Sequence, residues 1–404
     1  MQNTSNDRLV FYTIIIAQFC GTSLWFAGNA VLPQLQQEFD WPPSYLGFLT
    51  IATQAGFILG TLCFALLGLA DRLSPSRLFL TCSFIAAACN LLCVLDISSF
   101  SLVMTSRALT GFFLAGIYPV GMKIASDWRK EGLGLWLGGL VGALVLGTSF
   151  PHLLKEFPGS SDPVIILLSV SALAIGGGIM LSAIVPDGPY RKQGTKFSFN
   201  GVRIAFHEPG FRKAAFGYFG HMWELYALWA FVPYMVLQYQ ATRDLTPLSV
   251  PLISFFVIGA GALGCLTGGV VSKSRGSAQV ARYMLFCSGM CCLLSFLFFR
   301  TEPWLFIPFL LFWGFTAAGD SPQFSALVAN NAKPEVRGSA ITMITCIGFF
   351  ISILGIQVLN YFQHALEPDH LFLLLVPGPV FGLIAMGKNI SFRAVNFRER
   401  GSSI

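Results

Sequence analysis

Charge is scarce in this chain. Only 11% of its 404 residues are Asp, Glu, Lys or Arg, while 54% are hydrophobic and the mean hydropathy is +0.68. A globule dissolved in water cannot hide that much apolar surface, so a soluble fold is excluded. Cysteine is absent from the polar loops: all ten, from Cys20 to Cys346, fall inside apolar stretches. That leaves no disulfide framework and no zinc site, and it suits small apolar side chains at helix contacts. There is no Gly-x-x-x-x-Gly-Lys-Ser/Thr run, so ATP is not the direct energy source. No nucleophile has a base at a useful local spacing, which points away from an enzyme, and no cofactor or metal is implied. The formal charge of +6 is scattered through short polar breaks and not gathered on a groove, which disfavours nucleic acid. A small-residue cleavage pattern is also missing from the apolar run 9–32, which is too long for a signal-peptide core and reads as a retained first helix.

What the chain does have is length in its apolar runs. They recur at 9–32, 44–70, 76–95, 100–126, 133–154 and 163–185, then at 212–238, 248–271, 279–299, 303–329, 338–362 and 370–390. Each matches the thickness of a bilayer as a helix. The pattern predicts an all-α membrane protein of twelve transmembrane helices in two six-helix bundles, 1–185 and 212–404, joined by a linker over 186–211. The linker holds Pro186, Gly188 and Pro189 as breakers and Arg191, Lys192, Lys196 and Arg203 as charges, with a short surface helix expected at 200–206. If the N-terminus is cytoplasmic, 21 of the 25 lysines and arginines lie on the cytoplasmic side, so the positive-inside rule fixes that orientation for both termini.

The two halves repeat. Arg107 to Pro119 reads RALTGFFLAGIYP and a later stretch reads WGFTAAGDSP, which sets Gly111, Ala115, Gly116 and Pro119 on Gly314, Ala318, Gly319 and Pro322. Likewise Phe19, Ala27, Ala30 and Pro33 fall on Phe219, Ala227, Ala230 and Pro233. Offsets of 203 and 200 residues are those of one six-helix unit copied whole, and two such units enclose a site at their interface near the midplane.

The loop after the second run, Leu69-Ala70-Asp71-Arg72 followed by Arg77, is similar to the loop signature of the major facilitator superfamily, Gly-x-Leu-Ala-Asp-Arg-x-Gly-Arg-Arg, and Arg107-x-x-x-Gly111 resembles that family's motif in helix 4. With the twelve-helix layout the resemblance covers essentially the whole chain. The chain departs from the pattern at Leu67, Ser74 and Pro75, and the second-half copy has Ser272 in place of the aspartate. The resemblance implies a monomeric transporter in which Asp71, Arg72 and Arg77 act at a cytoplasmic gate and Arg107 serves proton coupling or substrate binding, and the short loops and compact termini suit a bacterial inner membrane.

Charges inside a bilayer are costly and mark function by default. Besides Arg107, these are His221 and Glu224 on the seventh run and Asp320 on the tenth. His221 and Glu224 are three apart, on roughly one helix face, and are expected to share a proton. Burial favours a neutral acid and a nearby cation favours its carboxylate, so Glu224 suits a group that loads and releases a proton, and Asp320 beside Pro322 suits a second such site. Gln18, Trp25, Asn29, Gln54, Tyr226 and Trp229 are expected to line a cavity for an amphipathic solute. Gly147 and Pro151 are separated where the drug-proton antiporter motif has Gly-Pro adjacent, and the asparagine of nitrate carriers is missing from the fifth run and from the eleventh before Asn360. The sequence therefore predicts a secondary transporter that moves a small organic solute by alternating access coupled to protons, importing an anion or exporting an amphipathic compound. A non-transporting membrane receptor or assembly partner that keeps the fold without the cycle is the alternative.

Overall fold

The structure, a computed structural model, describes residues 4–129, 133–157, 159, 162–191, 197–243, 248–333 and 335–387. Lys192 and Lys196 of the linker and the tail after Gly387 lie outside the described residues.

Among the described residues the regular structure is helical and each expected span is present. The first is Thr4–Thr22 and Ala27–Phe39, the second Tyr45–Leu67, and the third Pro75–Leu91 tightening into the 3-10 turn Leu92–Leu95. The fourth is Phe100–Leu114 and Tyr118–Trp128, the fifth Leu133–Leu154 and the sixth Pro163–Ile184. Helix Phe199–His207 lies in the linker, one residue longer at each end than expected. The seventh span is Pro209–Arg243, the eighth Val250–Arg275, the ninth Ser277–Phe298 and the tenth Pro303–Gly319 with Ser321–Asn331. The eleventh is Arg337–Phe362 and the twelfth runs from Pro368 through a 3-10 turn to Met386. We call the end of the bundle that carries Phe199–His207 the linker face and the opposite end the far face.

Ten of the spans are long and apolar enough to cross a membrane by composition alone. The other two are the seventh, which carries Arg212, Lys213, His221 and Glu224, and the tenth, which is broken at Asp320. Large apolar side chains point outward, among them Leu263, Trp304 and Ile384 at 61%, 71% and 74% exposure. A surface of that kind is stable only against lipid, so the chain is an integral, multi-pass membrane protein.

Three spans are broken, each for a local reason. In the fourth, Gly116 and Ile117 bond three residues back, to Phe113 and Leu114, and Pro119 then starts a new helix. The tenth repeats the device, with Pro322 in the first turn of Ser321–Asn331. Proline removes a donor and restarts the ladder. The first span breaks without proline: Thr22 Oγ donates to Gln18 O and Ser23 Oγ to Cys20 O, both at 2.7 Å, so side chains take over carbonyls of the ladder.

The repeated glycines explain how tightly the spans pack. The second span lies against the fourth and the eighth against the tenth. A Cβ at Gly111 would stand 1.9 Å from the Thr53 carbonyl oxygen, and one at Gly314 would stand 1.8 Å from that of Val257. Both copies therefore need backbone against backbone, a contact open to glycine alone. Between halves, the fifth span packs on the eighth and the second on the eleventh. Ser352 Oγ donates to Gln54 Oε1 at 2.9 Å, and nearer the far face Ser249 Oγ donates to Glu156 Oε1 at 2.5 Å. Toward the linker face the halves part around a cavity of about 170 Å³ lined by Thr61, Asp71, Lys123, Phe197, Ser339 and Thr342.

Candidate functional site: buried charges and a meeting surface rich in donors

Arg107, at 1% exposure, is fixed by the break in the first span. Its Nη2 donates to the carbonyls of Leu24 at 2.5 Å and Trp25 at 3.3 Å, and its Nη1 donates to Asn90 Oδ1 on the third span. The aliphatic part of the side chain lies over Gly28, where a Cβ would be 2.9 Å from Arg107 Cδ. Among the described residues it makes no ion pair. A guanidinium with several donors can be satisfied by carbonyl dipoles, so this cation is buried without a counter-ion. Asn90 is a partner the sequence reading passed over; a lone amide within the third apolar run was the available signal. Its own Nδ2 donates to Ser171 Oγ at 3.0 Å, which orients Oδ1 toward the guanidinium.

Among the described residues His221 and Glu224 form no hydrogen bond with each other. One turn apart on the seventh span, they turn to different partners. His221 Nδ1 lies 2.8 Å from Asp320 Oδ1, and its Nε2 lies 2.8 Å from Ser321 Oγ, so the ring bridges the break in the tenth span. Glu224 accepts from Trp313 Nε1 at 2.7 Å and from Ser288 Oγ at 2.9 Å, inside the second bundle. Asp320, His221 and Glu224 are at 0%, 2% and 1% exposure. Trp313 and Ser288 were also missed, because in an apolar run a tryptophan looks like packing and a serine like a helix contact.

The duplication puts these sites in relation. With the offset of 200, Glu224 is the copy of Leu24, the residue whose carbonyl Arg107 takes; with the offset of 203, Leu310 is the copy of Arg107. His221 and Asp320 are likewise the copies of Gly21 and Ile117, which touch in the first half: a Cβ on Gly21 would be 2.6 Å from Ile117 Cγ2. A cation stabilises one half where an acid is buried in the other, and an imidazole–carboxylate contact replaces an apolar one.

Around Trp25 the surface where the halves meet is aromatic. Trp25 stacks obliquely on Phe57, Tyr226 and Phe349 with ring centroids 4.8, 5.8 and 5.6 Å apart, and Tyr226 reaches Trp229 at 5.1 Å. Trp25 Nε1, Trp229 Nε1 and Gln54 Nε2 are buried there and, among the described residues, have no hydrogen-bond partner. Buried donors of this kind are few in native proteins. Gln18 and Asn29 belong to the first half: the Gln18 amide lies against Gly121 of the fourth span, and Asn29 donates to Thr50 at 2.6 Å.

At the linker face, Asp71 pairs with Lys123 at 3.1 Å, and Lys123 also reaches Asp127 at 3.3 Å. Arg191 of the linker donates to the carbonyls of Asp71 at 3.1 Å and Leu73 at 2.6 Å. Arg72 and Arg77 are exposed and, among the described residues, form no ion pair, so the acid of the loop turns to the fourth span and not to its neighbouring arginines. At the far face, Lys155 Nζ donates to Ala30 O at 3.0 Å; burial pushes its ammonium down to about 8, with Glu156 drawing it back.

The profile of the Major Facilitator Superfamily matches residues 14–356. The chain belongs to the Major Facilitator Superfamily. Similar superfamily proteins include the inner membrane transport protein YnfM of Escherichia coli, 25% identical over 286 residues that make up 66% of this chain and 63% of that one. An uncharacterized transporter of Buchnera aphidicola is 26% identical over 156 residues, 38% and 37% of the two chains. The chain thus spans less than two thirds of the length of either relative. Among solved structures, a bacterial homolog of the human lysosomal transporter Spinster, inward-facing and unoccupied, superposes with a TM-score of 0.69 at 15% identity over 95% of this chain and 96% of that one. The human organic anion transporter MFSD10 superposes with a TM-score of 0.71 at 13% identity over 94% and 99%. At those identities the likeness is one of fold, and it gives the twelve spans their superfamily arrangement.

Proposed function

We propose that the chain is a secondary transporter that moves a small organic solute across the membrane by alternating access, with protons taken up and released in the second half. The observation that carries this reading is the His221–Asp320 pair, held at the break of the tenth span with Ser321 on the other side of the ring. Adding or removing one proton there changes the charge of the link between the seventh and tenth spans. A solute bound between the halves can bias that link only if it favours one protonation state, which is what coupling means. Glu224, bound by Trp313 and Ser288, is the second candidate for the same work.

The packed contacts toward the far face and the cavity at the linker face suit a state closed on one side and open on the other. Asp71 and Lys123 then join the second and fourth spans at the mouth, as a gate contact within the first half. The distribution of lysine and arginine favours a cytoplasmic linker face. The kinship with the YnfM protein favours a bacterial inner membrane.

Proteoliposomes carrying an internal pH-sensitive dye test the reading. A panel of organic acids, amino acids, chelates and amphipathic drugs is expected to contain a solute whose addition moves protons. Asp320→Asn or Glu224→Gln is expected to abolish that movement. Solute uptake with no proton movement would rule out the coupling, and no uptake of any panel member would favour a non-transporting receptor.

A further inference from the structure

We propose that the meeting surface of the two halves binds an organic anion with a flat apolar body, an inference that names the solute class and rests on the transport reading above. Trp25, Gln54 and Trp229 present buried N–H groups that lack partners among the described residues, whereas the acceptor side of Gln54 is already taken by Ser352. The unmet demand is therefore for acceptors, which the ligand must bring. Phe57, Tyr226 and Phe349 pack on the Trp25 ring, and Phe349 touches Phe57 and Tyr226 at 4.6 and 4.9 Å, so a ligand reaches these donors by parting the rings, and the body that takes their place against them is flat and apolar. Neutral ethers or ketones would satisfy the donors equally well; the charge is decided by Arg107. It stands behind the broken turn with Nη2 3.3 Å from the Trp25 carbonyl, and no carboxylate among the described residues pairs with it. A cation neutralised only by dipoles leaves a positive potential on the Trp25 side of the surface. The buried acids belong elsewhere: Asp320 is paired to His221, and Glu224 is held by Trp313 and Ser288 inside the second bundle. Donors in excess, aromatic walls and an uncompensated cation together select an oxyanion such as an aromatic carboxylate. Arg107 acts on it through the field and not by contact.

Equilibrium dialysis of the purified full chain in lipid nanodiscs tests this with three probes on one ring system: naphthalene carboxylate, naphthalene carboxamide and naphthyl methylammonium. The carboxylate is expected to bind about tenfold or more tighter than the other two, in line with the greater strength of hydrogen bonds to charged acceptors. Trp25→Phe and Trp229→Phe keep the rings and remove one donor each, and each is expected to weaken carboxylate binding about fivefold or more while leaving carboxamide binding less affected. Arg107→Lys is expected to retain the preference for the anion, and Arg107→Met to erase it; if the methionine variant does not fold, the two tryptophan variants decide. Equal binding of acid and amide, tighter binding of the ammonium, no binding of any probe, or indifference to both tryptophan substitutions would each overturn the proposal. Dialysis needs no gradient, so such a failure leaves proton coupling untouched. Conversely, anion binding that survives in a chain whose proton movement ignores Asp320→Asn rejects the coupling and keeps the site.

Discussion

Arg107 is tolerable in the membrane interior because the broken turn beside it supplies carbonyl oxygens in place of a carboxylate. Arg107→Met would strand the Leu24 carbonyl and Asn90 Oδ1, and the expected loss of stability is about 2–3 kcal/mol, read as an earlier transition in thermal unfolding in detergent. Arg107→Lys should recover part of it. That a buried arginine matters was legible in the sequence; its partners were not, because carbonyls become available only where a helix breaks. Lys155 offers a check by pH. Its folded ammonium gives up its proton at about 8 against an ordinary 10.5, so the unfolded chain holds more protons between those values and stability rises with pH across that window. A thermal-melt series from pH 8 to about 10 should show the folded state gaining on a Lys155→Met reference; a flat difference between the two would contradict it. His221 is a case where a pattern misled: spacing of three suggested Glu224 as partner, but the break in the tenth span carries Asp320 closer to the ring.

At the scale of the helix, the repeated glycine is a sharper constraint than the repeated proline. Gly111→Ala and Gly314→Ala would each drive a methyl into a backbone carbonyl on the neighbouring span. Each should cost about 1–3 kcal/mol, the range of overpacking, and lower the yield of monodisperse protein in size-exclusion chromatography. Gly176→Ala meets nothing within 4 Å and serves as the neutral control. The spans themselves were legible because a bilayer demands unbroken apolar length, and a proline stands just past each of the bends at 115–117 and 320. The bend at 23–26 was not announced. It depends on Thr22 and Ser23 bonding back to the ladder and on a cation from another span, which no local signal in the first run reveals.

For the whole molecule, the duplicate halves could be read from the repeat, but not which spans meet across them, since helices that are apolar all round give no stripe to orient. The structure pairs the fifth span with the eighth and the second with the eleventh. Glu156 and Ser249 join the first of these pairs near the far face. Glu156→Ala should speed amide hydrogen exchange in the first turns of the eighth span, after Ser249, and leave the ends at the linker face unchanged; equal acceleration at both faces would mean general loosening and not a local opening.

The bend in the first span and the bend in the tenth are secured by different chemistry. One is fastened by a guanidinium that donates to backbone carbonyls, the other by an imidazole lying against a carboxylate. A molecule assembled from two first halves would therefore carry such an arginine in both bundles and no imidazole against a carboxylate, and one assembled from two second halves would carry that contact twice and no such arginine.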